Sequence, residues 1–199
     1  MDLLNMLNFN DYIQVNRLDY DMEYVRKNFY KVQGILGEEN KDDTIAAITI
    51  RLKNKVIDRA TGEEVKTDWI IANSVANTLQ LLISKRFLGR KSRYVKLPYV
   101  SAIESSKGWD KEHIHALIRL SSLKEEYNAD NIESIIREVC LSLDEVNNHI
   151  PDSVMVRTFP YLENQYKVVG NSIHYLCKSS TKHYNPLIRT LKNGTTINA

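Results

Sequence analysis

The spacing of apolar residues constrains the fold of this chain most strongly, because it changes repeatedly between the periods of strands and helices. Thr44–Leu52 is β-branched and apolar between polar neighbours, which is typical of a buried strand. Apolar residues from Val75 to Ile83 then recur at helical spacing, within a predicted helix at about Asp68–Phe87. The sequence therefore predicts helices packed on strands within one mixed fold.

Turn-forming residues separate the next predicted elements. Arg59-Ala60-Thr61-Gly62 has the composition of the turn in a short hairpin. Val95–Glu104 and His113–Leu120 are predicted strands, and the polar residues at 105–110 between them are typical of an antiparallel hairpin. We expect these two strands to be neighbours in a sheet.

The second half of the chain supplies two helices and a strand. Asp130 and Glu133 predict a capping box for a helix whose apolar stripe runs over Ile132–Val146. Ser153–Phe159 is a fourth predicted strand, and Gln165–Ser179 is a further helix. The order β-α-β-β-α-β-α indicates an α+β fold, in which a small antiparallel sheet of RRM-like or palm-like type carries helices on one face.

The length of 199 residues suits one domain with a substantial core. We expect a helical N-terminal extension at 1–43, with a helix near Asp21–Leu36, and a single domain at 44–199. No apolar run reaches the ~20 residues that span a bilayer, and the N-terminus lacks the pattern of a signal peptide. Cys140 and Cys177 lie in apolar helical patterns, as reduced core thiols do. These features favour a cytoplasmic protein with no membrane partner.

The net charge is only +2, yet the basic residues are concentrated in two segments. No acidic residue occurs between Asp68 and Glu104, and none follows Glu163. Such segments favour a polyanionic partner along one side of the protein, although a solvated lysine-rich surface explains the charge equally well. The residues that we assign to nucleic-acid binding are Arg90, Lys91, Arg93, Lys96, Lys182 and Arg189.

Two histidines in the third predicted strand are separated by one residue. His113 and His115 therefore project from the same face. Glu104 ends the preceding strand and lies across from them if the chain turns at 107–110. Two imidazoles and one carboxylate suit Mg²⁺ or Mn²⁺ and also tolerate Zn²⁺. A His-x-His pair also occurs by chance on half-exposed strands, so it indicates a metal site only together with other features.

Tyr175 lies on the polar face of the last predicted helix, opposite Val169 and Ile173. A structural tyrosine would lie on the apolar face instead. Lys178 follows one turn later on the same polar face. A phenol with its ordinary pKa of about 10 is a weak nucleophile, and a nearby ammonium or a metal-polarised phosphate would activate it. The helix therefore predicts a tyrosine nucleophile.

These motifs resemble those of a known family. The strand at 44–52, the His113-Ile114-His115 triplet and Tyr175-Leu176-Cys177-Lys178 follow the order and approximate spacing of the HUH endonucleases. More narrowly, the chain resembles the rolling-circle replication initiator (Rep) proteins of small plasmids and of single-stranded DNA phages and viruses. The resemblance covers about residues 44–185, which makes 44–199 an HUH-type endonuclease domain.

The resemblance implies a metal-dependent nickase that acts on single-stranded DNA. His113 and His115 would bind Mg²⁺ or Mn²⁺, with Glu104 as the acidic third ligand. Tyr175 would form a 5′-phosphotyrosyl link and release a free 3′-OH, while Lys178 orients the phosphate or lowers the pKa of the phenol. A host polymerase and helicase would act as partners, because the chain has no phosphate-binding loop of a motor. No small-molecule cofactor is expected.

Other functions remain open on the sequence alone. A single-tyrosine transposase or a mobilisation relaxase shares the chemistry, although transposases commonly carry glutamine where this chain has Lys178. An inactive DNA- or RNA-binding repressor on the same fold would not need all the catalytic residue types. A metalloenzyme for small molecules would leave the basic segments unexplained. Tyr184 lies nine residues beyond Tyr175, so we expect a single catalytic tyrosine.

Overall fold

The structure is a computed structural model that describes part of the chain. The described residues are 32, 34–37, 42–106, 111–121, 127–161, 187–192 and 195–198, with the last two ranges described by their backbone. The predicted helix Gln165–Ser179 and the turn residues 107–110 lie outside these residues, as does Tyr184.

One antiparallel sheet dominates the described residues. In chain order the elements are β1 (Thr44–Arg51), β2 (Lys55–Ile57), β3 (Glu64–Lys66), α1 (Trp69–Leu88), a short 3₁₀ helix (Gly89–Arg93), β4 (Tyr99–Ser106), β5 (Lys111–Leu120), α2 (Ala129–Leu141), β6 (Val154–Pro160), β7 (Leu187–Lys192) and β8 (Thr195–Asn198). The sheet has the strand order β6-β1-β5-β4-β7-β8, and β2 pairs with β3 in a separate hairpin. All of these pairings are antiparallel.

The predicted α+β class is confirmed. Apart from the β2–β3 hairpin and the 3₁₀ helix, the order is that of the split β-α-β pattern: β1, α1, β4, β5, α2 and β6. Among its four strands, β1 and β5 are in the middle. β7 and β8 extend the sheet beyond β4, and the sequence does not predict them as strands. The short hairpin is also present, with its turn between Asp58 and Glu63 and with Gly62 at a positive φ of 74°.

α1 begins where the sequence predicts a helix. The side chain of Asp68 accepts a hydrogen bond from the amide of Ile71 at 2.9 Å and so caps the first turn. Along the helix, Val75, Leu79 and Ile83 are buried against the sheet. Apolar spacing and a capping residue therefore identify this element correctly.

The capping box of α2 differs from the prediction. Asn128 and Asn131 exchange side-chain-to-backbone hydrogen bonds of 2.9 and 3.0 Å, whereas the sequence predicts this exchange for Asp130 and Glu133. Glu133 instead accepts hydrogen bonds from the amide (2.7 Å) and hydroxyl (3.0 Å) of Thr158 in β6. The helix begins at Ala129, so Asp130 lies inside its first turn and Asn128 is the N-cap. The Glu133 carboxylate ties the helix to the sheet instead.

The predicted strand at Val95–Glu104 is too long, because β4 begins only at Tyr99. The amide of Leu97 donates to the Ser84 hydroxyl at 3.1 Å, and the carbonyl of Leu97 accepts from the Gln80 side chain at 3.1 Å. The backbone amide and carbonyl of Leu97 are therefore both hydrogen-bonded to side chains of α1. Leu97 therefore lies against the helix, and the strand begins only beyond it.

The helices pack on one face of the sheet, and alternation along the strands separates this face from the other. Ile48 and Ile50 of β1 and Ile114 and Ile118 of β5 belong to the core beneath the helices. Cys140 of α2 is buried there as well, and burial raises the pKa of its thiol to about 12. The intervening residues of β1 and β5 point to the opposite face, which we call the histidine face.

One end of the histidine face is covered by the end of the N-terminal extension. Val32 and Leu36 are fully buried, and residues 34–36 are helical. Arg119 of β5 donates to the carbonyl of Leu36 and forms a buried ion pair with Asp43. Tyr161 donates its hydroxyl to the carbonyl of Gly37 at 2.8 Å. We call these residues the closed end.

No helix within the described ranges is both long and apolar enough to cross a membrane.

Candidate metal and nucleic-acid site

The candidate site lies on the histidine face, at the end of the sheet opposite the closed end. Two rows of residues cross the three adjacent strands there, and neighbouring strands are about 4.8 Å apart. Each row lies within side-chain reach of the next, because residues two apart along a strand are about 7 Å apart. The first row contains Arg51, His113 and Glu104, and the second contains Thr49, His115 and Ala102.

Glu104 lies opposite His113 in the β4–β5 pairing. This is the position that the sequence predicts for it, across the hairpin from the histidines. The carboxylate reaches diagonally to His115, where Glu104 Oε2 is 3.1 Å from Nε2. The His115 and Glu104 side chains are 13% and 27% exposed, so this contact is largely sheltered from water.

Both ring nitrogens of His115 have partners. Nδ1 lies 3.1 Å from the hydroxyl of Thr49, and Nε2 lies 3.1 Å from Glu104. With the proton on Nε2, the ring donates to Glu104 and accepts from Thr49. With the proton on Nδ1, the ring donates to Thr49, and the Nε2 lone pair is available to a cation. Thr49 therefore holds the ring in the orientation that directs Nε2 toward Glu104.

His113 places its ring beside that of His115. The two rings are nearly parallel, with an angle of 6° between their planes and 6.5 Å between their centroids. Both imidazoles therefore project from the same face of β5, as the His-x-His spacing predicts. His113 supplies a further nitrogen donor next to the Glu104–His115 contact.

The donor set fits a divalent cation. Two ligand atoms that each lie about 2.1 Å from an ion, at a right angle, are about 3 Å apart. The separation of 3.1 Å between His115 Nε2 and Glu104 Oε2 matches that geometry. Among the described residues, no three His, Cys, Asp or Glu side chains already stand together as a metal cluster. His113 has to turn its ring toward the same point to complete the set.

The order of hydroxyl, imidazole and carboxylate is also that of a hydrolase triad. β1 pairs with β5 on one side and with β6 on the other, so its amides are used within the sheet. The strands around Thr49 that the structure describes therefore leave no backbone donors to stabilise an oxyanion, as such a triad requires. We assign Thr49 to positioning of His115 and not to nucleophilic attack.

The sequence did not single out Thr49. Strand alternation places it on the same face as Arg51, which the sequence does not single out either. Only the direct pairing of β1 with the histidine strand brings these two side chains to the site.

The predicted DNA-binding residues near 90 occupy the 3₁₀ helix between α1 and β4. Arg90, Lys91 and Arg93 are exposed there. Lys96 is half-buried, and its ammonium donates to the carbonyl of Ser92, so its charge is held within the segment. Tyr94, which the sequence did not single out, is 89% exposed beside these cations. We call residues 89–96 the basic segment.

Buried polar side chains hold the basic segment in place. The Ser92 hydroxyl donates to the carbonyl of Gly89 at 2.7 Å, and Ser84 and Gln80 anchor Leu97 just beyond the segment. The segment precedes β4 at Tyr99, and Glu104 lies roughly 17 Å further along the strand at about 3.3 Å per residue. The basic segment therefore flanks the histidine site and does not form part of it.

Of the remaining predicted site residues, only Arg189 lies within the described ranges. Tyr175, Lys178 and Lys182 lie outside the described residues. Arg189 lies in β7, where its Cα pairs with that of Ser101 in β4. β7 is thus the neighbour of the strand that carries Glu104, and it brings a predicted DNA-binding position to the same sheet.

The chain was compared with models of known families, with curated proteins and with solved structures. None of them matches it.

Proposed function

We propose that this protein nicks and rejoins single-stranded DNA through Tyr175, as a rolling-circle replication initiator does. One observation carries the proposal. Glu104, His113 and His115 lie on one sheet face in neighbouring strands, with a carboxylate oxygen and an imidazole nitrogen 3.1 Å apart. This arrangement brings together the ligand types that the HUH resemblance requires, in the order that it requires them.

The reaction is a transesterification. Glu104, His113 and His115 would hold Mg²⁺ or Mn²⁺, whose chemistry is to polarise the scissile phosphate. The Tyr175 oxygen attacks phosphorus, so that a tyrosyl–phosphorus bond forms and the bond to the 3′ oxygen breaks. The phenol loses its proton and the leaving 3′ oxygen gains one. Because one ester replaces another, a later 3′-OH can reverse the step and reseal the strand without ATP.

Other residues would position the substrate. Lys178, one turn after Tyr175, would orient the phosphate. The exposed cations of the basic segment would hold the flanking strand through its phosphates, together with Lys182 and Arg189. Tyr94 offers an exposed aromatic face among these cations, and stacking of one base on such a ring contributes about 1–3 kcal/mol. This combination of charge and ring favours an unpaired strand.

The alternatives differ from this proposal in defined ways. A repressor without catalysis would have no use for a carboxylate held against one histidine beside a second one. A single-tyrosine transposase or a mobilisation relaxase would form the same covalent adduct. These two would differ in the DNA sequence that they cut and in the strand that they join.

The test uses a labelled pool of random single-stranded oligonucleotides with Mn²⁺, followed by a denaturing gel. We expect a covalent adduct with the wild-type protein, none in EDTA and none with Tyr175→Phe. Tyr184→Phe is the matched control and should retain the adduct. Absence of any adduct with Mn²⁺ and with Mg²⁺ would refute the function. An adduct that persists in Tyr175→Phe and maps to the Tyr184 peptide would refute the nucleophile.

A further inference from the structure

Arg51 ends β1 directly beside the candidate metal ligands. Its Cα pairs with that of His113, which pairs in turn with Glu104 on its other side. Thr49, two residues earlier on the same strand, contacts His115. Because side chains two residues apart share a face of a strand, Arg51 belongs to the histidine face as well.

The guanidinium of Arg51 carries a donor that is left unsatisfied. Arg51 is half-buried, and its Nε is shielded from solvent and meets no hydrogen-bond partner in the part of the chain that the structure describes. A buried donor without an acceptor costs about 1–3 kcal/mol, and more when it is charged. A sheltered guanidinium donor without an acceptor suits a site where an anionic ligand supplies the acceptor.

The position of Arg51 beside the candidate metal ligands indicates which kind of anion it would bind. A positive charge close to a divalent-cation site disfavours metal binding by itself. The combination becomes favourable when an anion lies between the two and interacts with both. A phosphodiester has two non-bridging oxygens, and a guanidinium is well suited to bind one of them while the other faces a cation.

We propose that Arg51 binds a non-bridging oxygen of the scissile phosphodiester, on the side of His113 away from Glu104, and offsets the charge that develops there during transfer. The inference rests on the proposed function and extends it by one substrate-binding residue. Arg51 acts on the phosphate itself and neither holds the metal nor supports its ligands.

The test compares Arg51→Gln and Arg51→Lys with the wild-type protein. The matched control is Arg59→Gln, which removes one arginine that is exposed and ion-paired with Asp144 and Glu145. The substrate is the oligonucleotide recovered from the covalent adduct, either unmodified or with a neutral methylphosphonate at the cut position. Single-turnover nicking is measured with Mn²⁺, and binding is measured by fluorescence anisotropy in EDTA.

We expect Arg51→Gln to slow nicking by about 100-fold or more, as loss of one donor to a developing oxyanion does. Binding of the unmodified oligonucleotide should weaken by a smaller factor, whereas binding of the methylphosphonate should match that of the wild type. Arg51→Lys should recover part of the rate, and Arg59→Gln should behave like the wild type. An equal loss of binding to both oligonucleotides would contradict contact with the scissile phosphate.

Two further measurements separate this role from a structural one. Removal of a half-buried guanidinium with an unsatisfied donor should leave the melting temperature of Arg51→Gln unchanged or raised. Co²⁺ affinity, followed by ligand-field absorption, should be unchanged or tighter, because a nearby positive charge is gone. Weaker Co²⁺ binding would show that Arg51 supports the ligands and would overturn the inference. If the wild-type protein nicks and Arg51→Gln nicks equally fast, the inference about Arg51 is refuted and the proposed function stands. If the wild-type protein never nicks, the proposed function itself is refuted.

Discussion

The two ends of the histidine face belong to the same strands, but the arginine at each end has different hydrogen-bond partners. At the closed end, Arg119 forms a buried ion pair with Asp43, and its guanidinium lies 5.1 Å from the centre of the Tyr161 ring. At the other end, among the described residues, the Nε of Arg51 has no hydrogen-bond partner. Both arginines extend from inner strands, β5 and β1, and both are half-buried.

This difference in arginine pairing predicts a different role for each end of the face. A charge that is paired within the protein contributes to holding the extension on the sheet. A guanidinium with an unsatisfied donor beside two histidines and a carboxylate is expected where a ligand completes the interactions. We therefore expect substitutions at the closed end to lower stability and substitutions at the opposite end of the face to lower the proposed activity.

The largest expected effect is on catalysis. Replacing His113 and His115 together by Ala should reduce nicking to background, because both imidazole donors are removed. The free energy of unfolding should change little, since both side chains lie outside the core beneath the helices. Nicking gels and urea denaturation of the same preparation measure the two quantities. Full nicking by the double variant would contradict the metal role.

The next effect is on stability and concerns the closed end. Arg119→Met leaves the buried Asp43 without its cation, which should lower the free energy of unfolding by about 3–5 kcal/mol. Arg157, which is exposed, provides the control. Arg157→Met should change the free energy of unfolding by no more than about 0.5 kcal/mol. Nicking per folded molecule should stay unchanged in Arg119→Met. A loss of nicking without a loss of stability would move the site to this end.

Thr49 gives a smaller effect that probes how the ligands are oriented. Thr49→Val keeps the shape of the side chain but removes the hydroxyl next to His115 Nδ1, so Co²⁺ affinity should fall by about 10–100-fold. Thr49→Ser retains the hydroxyl and should preserve most of the affinity. Co²⁺ titration by absorption checks both variants. Equal affinities for valine and serine would show that the 3.1 Å contact has no part in metal binding.

The smallest effect concerns the basic segment, which lies outside both ends. Replacing Arg90, Lys91 and Arg93 by Gln should reduce the salt dependence of single-strand binding by roughly 2 in logarithmic slope, since each phosphate contact contributes about 0.7. Tyr94→Ala should weaken binding while leaving the slope unchanged, because stacking releases no counterions. Anisotropy titrations at several salt concentrations distinguish the two variants. A slope that survives the triple substitution would place the DNA elsewhere.

Local sequence signals identify the elements that depend on local interactions. The capping carboxylate of Asp68 and the apolar spacing of α1 both lie within or next to the helix they define, and the predicted helix is correct. The start of β4 and the cap of α2 were predicted wrongly because distant residues decide them. Gln80 and Ser84 hold the segment before β4, and Thr158 engages Glu133.

The candidate site divides in the same way. The shared face of His113 and His115 follows from strand alternation alone, and the position of Glu104 follows from a hairpin between consecutive strands. Thr49 and Arg51 reach the site only because β1, which is distant in sequence, inserts between β5 and β6. No local sequence pattern predicts that β1 pairs with β5. The roles of Tyr175 and Lys178 remain predictions from the sequence.

The alternation of β5 limits how the length of this gene can change during evolution. Odd-numbered residues from His113 to Arg119 serve the site and the closed end, while even-numbered residues from Ile114 to Leu120 fill the core. Insertion or deletion of a single codon within this stretch would exchange the two faces for every residue beyond it. The histidines or Arg119 would then point into the core, and the isoleucines would point to the opposite face. Viable length variants of this protein should therefore carry their insertions outside β5.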